Sequence, residues 1–182
     1  SPQGANQGTE DILDDYEMVI QDELPEYRAA RGVIRPNSTQ KVEFTNTGRV
    51  GALCISKTVS GAQITETDKQ KAFSFTVSLT NPDGTPLKGT YSYVGSAVDG
   101  VSAPEDSSLT LDETGNVTFS LSHGQSIAIR DIPKGTLYEV SESDAGGFTV
   151  IVDGDTDGDG AAEGTIVEDE MANVKFHNTK QT

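Results

Sequence analysis

The chain has 182 residues, and its 13 basic and 29 acidic side chains give a formal net charge of −16 at pH 7. This charge repels nucleic acids and anionic membrane surfaces, so we expect neither as a partner. No apolar run approaches the roughly 20 residues that span a bilayer, and residues 1–15 do not resemble a signal peptide. The single cysteine, Cys54, excludes an internal disulfide framework, and two histidines are too few for a His/Cys zinc cluster.

A repeated motif, V-x-F-x-N-T, divides the chain. It occurs as VEFTNT at 42–47 and as VKFHNT at 174–179, and its asparagines, Asn46 and Asn178, lie about 130 residues apart. Such a spacing has the size of a domain, whereas solenoid repeats are roughly 20–50 residues long. We therefore predict that residues 1–47 are the C-terminal portion of a preceding β repeat with a disordered start, and that 48–182 form a second domain. The alternative is that 1–47 add a pair of strands to that domain.

The residues after 48 form short alternating or β-branched runs separated by Gly, Pro, Asn or Asp, which is typical of strands and turns. After a first strand around 53–59, the predicted strands are FSFTVSL (73–79), NVTFSL (116–121), SIAIRDI (126–132), TLYEVSE (136–142), FTVIV (148–152), GTIV (164–167) and ANVKFHN (172–178). No segment shows helical periodicity, and 81–108 is predicted to be a loop. This pattern predicts an all-β fold, an immunoglobulin-like antiparallel β-sandwich.

Three polar residues lie on the apolar faces of their strands, because residues two apart in a strand share a face. They are Lys57 on the first strand, Glu142 on the strand near 140, and Asn178 on the last strand. Burial of each alone would cost several kcal/mol for a charge and about 1–3 kcal/mol for an amide. We therefore expect the three side chains to meet. The alternative is that each lies at a strand end and reaches water separately.

Several strings resemble one known family. They are ISKTVSG at 55–61, the FSFTVSL strand, the pairing of FSLSHGQSIAI with DIPKGTLYEVSES, and the closing F-x-N-T-K. Together, over residues 51–180, they resemble the repeats of Gram-positive pilins and surface adhesins, which include collagen-adhesin B-type and streptococcal pilin linker domains. Those immunoglobulin-like domains form internal isopeptide bonds.

The resemblance implies that Lys57 attacks the side-chain amide of Asn178 and that Glu142 assists. Burial lowers the pKa of a lysine and so favours the neutral, nucleophilic amine. It also favours a protonated Glu142, which we expect to hydrogen-bond the amide carbonyl and to pass protons to the departing ammonia. The reaction happens once per molecule, so the chain is not expected to be an enzyme with turnover. We predict no crosslink at Asn46, because the position that matches Glu142 in the preceding segment is Ile20.

The implied function is that of a structural stalk or pilin-type module, extracellular and anchored to the cell wall, with the signal and anchor outside these residues. Its expected partners are other repeats or subunits of the same surface protein or pilus, and no cofactor is needed. One alternative is a ligand-binding adhesin domain for a host matrix protein or glycan, which would use either calcium at the acidic run 152–164 or loop 81–108. A carbohydrate-active module would be a third class, but no recognisable carboxylate pair supports it.

An acidic run, VDGDTDGDGAAEG at 152–164, leaves two interpretations open. Asp153, Asp155, Asp157 and Asp159 match the first half of an EF-hand loop and are candidate calcium ligands. Gly164, however, occupies the position of the bidentate glutamate. The other interpretation is a polar hairpin tip, in which Asp and Gly supply the turn conformations. The histidines at 123 and 177 are predicted to lie on the surface.

Overall fold

The structure is a computed structural model that describes residues 49–180. Its strands are β1 Val50–Ser60, β2 Phe73–Thr80, β3 Thr90–Ala97, β4 Ser107–Thr110, β5 Asn116–Leu121, β6 Gln125–Pro133, β7 Leu137–Ser143, β8 Thr149–Asp153, β9 Ala162–Thr165 and β10 Met171–Thr179. A single short helix in this range, α1, covers Glu66–Gln70. The predicted preceding repeat at 1–47, including Asn46, lies outside the described residues.

The strands form two sheets. One has six strands in the order β8-β10-β1-β6-β3-β4, and the other has four in the order β9-β7-β2-β5. The pairs are antiparallel except for β10 with β1, which run parallel over their whole common length. The predicted all-β, antiparallel sandwich is therefore confirmed, with one parallel pair that joins its first and last strands.

The core lies between the two sheets, because each sheet directs alternate side chains toward the other. On β2, Phe73 and Phe75 are fully buried while Ser74, which lies between them, is partly exposed. The ring of Phe75 meets that of Phe176 on β10 edge-to-face, with centroids 5.2 Å apart. Full burial of one such side chain stabilises the fold by about 1.5–3 kcal/mol. The aromatic contacts thus hold the two sheets together around the ends of β1 and β10.

The segment 81–108 was predicted to be a loop, but it contains the strand β3 and the first two residues of β4, so this prediction was wrong. The β3 segment, TYSYVGSA, contains strand-favouring Thr, Tyr and Val, and its backbone pairs with β6, where Val94 faces Ala128. Gly95 allows the following loop to fold back, since a Cβ there would lie 1.8 Å from the carbonyl oxygen of Pro104. The predicted strand at 164–167 also begins earlier, as β9.

The helix α1 was not predicted, because five residues are too few to show a helical period. It begins with a capping box in which Asp68 N–H donates to Thr65 Oγ1 and Thr65 N–H donates to Asp68 Oδ2. Asp68 also contacts Lys180 Nζ at 3.2 Å, which ties the helix to the residue that follows β10. Within residues 49–180, no helix has the length and apolar character needed to cross a bilayer.

Candidate crosslinking site

The parallel pairing of β1 and β10 places Lys57 beside Asn178. In this register Lys57 lies opposite Phe176, and Asn178 lies opposite Val59. Because residues two apart share a face, Lys57 and Asn178 both direct their side chains between the sheets. The two residues come from opposite ends of the domain sequence, yet they lie on neighbouring strands.

Glu142 approaches from the facing sheet. It lies on β7, opposite Phe75 of β2. Its Oε2 atom is 2.9 Å from Lys57 Nζ and accepts a hydrogen bond from Asn178 Nδ2 at 3.0 Å. A single carboxylate oxygen therefore touches both the amine and the amide nitrogen.

The three side chains are sealed from solvent. Lys57 and Asn178 are fully buried, and the side chain of Glu142 is 2% exposed. The ring of Phe73 covers the amine, with Nζ 4.3 Å from its centroid. Glu142 Oε1 and Asn178 Oδ1 are buried atoms of the site that have no hydrogen-bond partner among the described residues. Each such atom costs about 1–3 kcal/mol, so the separate side chains form a costly arrangement.

Burial also changes the acidity of the amine. Removal from water lowers the pKa of Lys57 from its ordinary value of 10.5, while the hydrogen bond and the negative charge of Glu142 oppose this shift. The lowered pKa makes the neutral amine, which is the nucleophilic form, easier to reach than in water.

The contact of Glu142 with the amide differs from the expected one. The sequence predicted a hydrogen bond to the amide carbonyl, whereas in the structure Oε2 meets the amide nitrogen. A carboxylate oxygen without a proton can only accept, and the amide offers its donors at Nδ2. This contact places Oε2 against the atom that would have to leave as ammonia.

The acidic hairpin between β8 and β9 brings four carboxylates together, but the set differs from the predicted one. Oxygens of Asp155, Asp157, Asp159 and Glu163 lie within 4.8 Å of one another, and Asp153 is not among them. Glu163 was not among the predicted ligands, because it comes one residue before the EF-hand position. Its location on β9 places it next to the three aspartates of the hairpin.

Backbone amides already use several of these oxygens. Gly158 N–H and Gly160 N–H each donate to Asp155 at 2.8 Å, and Thr156 donates to Glu163 through its backbone and its hydroxyl. These bonds are typical of a turn closed by its own side chains. Calcium at this hairpin stays a prediction.

Comparisons with known proteins identify the family. The domain of unknown function DUF7601 matches residues 51–180. The chain belongs to this family. The pilus tip adhesin Cpa of Streptococcus pyogenes is 36% identical to the chain over 129 residues, which make up 70% of the chain and 16% of the adhesin.

Solved structures of pilus proteins share the fold of this DUF7601 domain. The pilus-presented adhesin Cpa matches with a TM-score of 0.58 at 26% identity, over 73% of this chain and 28% of the adhesin chain. The major pilin T3.2 of S. pyogenes matches with a TM-score of 0.54 at 22% identity, over 79% of this chain and 50% of the pilin. The predicted resemblance to Gram-positive pilin and adhesin domains is therefore confirmed. The chain spans less than a third of the length of the adhesins that it matches.

Proposed function

We propose that this DUF7601 domain is a structural module of a bacterial pilus or surface protein, stiffened by an amide bond that it forms between Lys57 and Asn178. The observation that carries this proposal is the position of Glu142 Oε2, 2.9 Å from the lysine amine and 3.0 Å from the amide nitrogen, in a site closed to water. Two reacting groups held in contact gain the rate advantage of an intramolecular reaction.

The reaction needs no cofactor and no redox step. A proton first moves from the Lys57 ammonium to the Glu142 carboxylate, which leaves both groups neutral and suits a site of low dielectric. The Nζ lone pair then attacks Asn178 Cγ. As the Nζ–Cγ bond forms and the Cγ–Nδ2 bond breaks, Glu142 takes a proton from Nζ and delivers one to Nδ2. The products are a secondary amide and one molecule of ammonia.

The position of the bond suits a domain under tension. Because β1 and β10 are parallel neighbours, the chain enters at one end of this pair and leaves at the other. A pulling force would travel along β1 to Lys57, cross the new bond, and leave through Asn178. The roughly 120 residues between these positions would carry little of the load. The bond would also add stability, because closing a loop of that length stabilises a protein by about 4–5 kcal/mol by analogy with disulfides.

The relatives support a place on the cell surface. One is named a pilus tip adhesin and another a major pilin, so we propose that the partners of this domain are neighbouring domains or subunits of the same assembly. The bond, once formed, is not turned over, so the domain would modify only itself.

The intact mass of the purified chain under denaturing conditions tests the proposal. We expect the wild-type chain to be lighter than its sequence by one ammonia, and Lys57→Ala, Glu142→Ala and Asn178→Ala to have their full masses. Lys175→Ala is the matched control, since this lysine lies on β10 but faces outward, and it should show the same deficit as wild type. A wild-type mass equal to the sequence mass would reject the crosslink.

A further inference from the structure

The hydrogen-bond ladder between β1 and β6 ends one residue before Lys57, at the pair Ser56 and Ser126. Beyond this point the turn from β5 to β6 holds β1. Gly124 N–H donates to the carbonyl of Lys57 at 2.9 Å, and Val59 N–H donates to His123 Nδ1 at 2.9 Å. The imidazole therefore acts as the acceptor that a strand carbonyl would otherwise provide.

His123 is buried, with 8% of its surface exposed, rather than lying on the surface as predicted. Since Nδ1 accepts a hydrogen bond, the proton of the neutral ring must be on Nε2. Nε2 lies 3.0 Å from Asp99 Oδ2, so the ring donates there. The loop that carries Asp99 is itself fixed, because Val98 N–H donates to the carbonyl of Gly124 at 2.8 Å. Both ring nitrogens are thus committed, and the orientation of the ring is set.

We propose that His123, oriented by Asp99, is a positioning residue for the crosslinking reaction. Val59 is the register partner of Asn178, and Lys57 lies two residues earlier on the same face. A ring that holds Val59 therefore also sets how far the lysine side chain reaches toward the amide. This inference rests on the proposed crosslink and adds a residue that does not touch the reacting atoms.

Loss of the acceptor would leave the amide of Val59 buried without a partner, and Val59 itself is only 1% exposed. The end of β1 would have to move to satisfy this group. Displacement of a reacting group by about 1 Å can slow a positioned reaction by roughly 100-fold. We therefore expect the rate of bond formation to depend on His123 more strongly than the fold does.

The experiment follows bond formation during refolding. Chain recovered unfolded from inclusion bodies is diluted out of denaturant, samples are stopped with acid at set times, and intact mass reports the loss of ammonia. Far-UV circular dichroism follows folding in parallel. His123→Leu removes the acceptor and should slow the loss of ammonia about 10- to 100-fold in a folded domain. His123→Asn offers an amide oxygen near the position of Nδ1 and should restore most of the rate.

Asp99→Ala provides a second test, because without Asp99 the ring can place its proton on Nδ1 and lose the bond to Val59. We expect slower crosslinking than in wild type. In wild type, nitrogen chemical shifts should show an unprotonated Nδ1 at His123. A protonated Nδ1 would overturn the proposal.

The outcomes separate this inference from the proposed function. A His123→Leu chain that folds and crosslinks at the wild-type rate overturns the positioning role alone. If His123→Leu does not fold, slow crosslinking in Asp99→Ala together with fast crosslinking in His123→Asn supports the positioning role. Crosslinking at the wild-type rate in both of these variants overturns it. A wild-type chain that never loses ammonia overturns both.

Discussion

If the proposed crosslink forms, the stability of the domain should fall sharply in a variant that cannot form it and that leaves no unpaired buried charge. The double variant Lys57→Met and Glu142→Gln is suited to this test. Methionine is close to lysine in length and is apolar, while glutamine keeps an oxygen that can accept from Asn178 Nδ2. Removal of Lys57 alone would leave the buried carboxylate without its cation, which by itself is strongly destabilising.

The expected loss of stability follows from the loop that the proposed bond would close. Lys57 and Asn178 enclose about 120 residues, so the proposed link would reduce the entropy of the unfolded chain by an amount equivalent to about 4–5 kcal/mol. In a domain of this size each kcal/mol shifts Tm by about 3–5 °C. We therefore expect the double variant to melt about 12–25 °C below the wild-type protein.

This difference in Tm can be measured by thermal unfolding followed by circular dichroism. The intact mass of the same samples shows whether the bond is present. Lys175→Met, an outward-facing lysine on β10, is the control and should melt within a few degrees of wild type. A wild-type chain that carries the bond by mass and a double variant that lacks it, yet with equal Tm values, would refute the expected contribution of the bond to stability.

Two further predictions concern the free amine and the packing of a loop. In Asn178→Ala the amine of Lys57 stays free. Because its pKa is lower in the folded chain, the unfolded chain binds more protons than the folded chain at pH values between the folded pKa and 10.5. Stability should therefore rise with pH through this window and be lost as pH falls through the folded pKa. The urea midpoint of unfolding measures this dependence, and the double variant Lys57→Met with Asn178→Ala, which lacks the amine, is the control. A midpoint that rises no more with pH in Asn178→Ala than in this control would contradict the prediction. Gly95→Ala should destabilise the domain by about 1–3 kcal/mol in denaturant unfolding, because its Cβ would collide with Pro104. Gly146→Ala, at a position with open space, should be near neutral, and equal effects of the two changes would argue against the collision.

Much of the strand pattern could be predicted because alternation is a local property. The segments predicted from 116 to 121 and from 148 to 152 match β5 and β8 closely. The same alternation predicted that Lys57, Glu142 and Asn178 would point inward, and the structure buries all three side chains. Their chemical role stays a prediction.

Other features depend on partners that lie far away in the sequence. β3 is a strand because β6 offers it a hydrogen-bonding edge, and nothing in TYSYVGSA alone requires this. His123 looked like a surface turn residue, since the amide that it binds belongs to a strand more than 60 positions earlier. Glu163 belongs to the cluster of carboxylates because β9 brings it beside the aspartates of the hairpin.

The sequence by itself determined which side chains of each predicted strand share a face, because the two-residue period of a strand alternates the faces whatever its neighbours are. Only the tertiary structure decided which of those side chains touch. The contact of Glu142 Oε2 with both Lys57 and Asn178 depends on a parallel pairing between the first and last strands and on a second sheet that packs across them. Such pairings are set by the free energy of burying both sheet faces together, and no single segment contains that information.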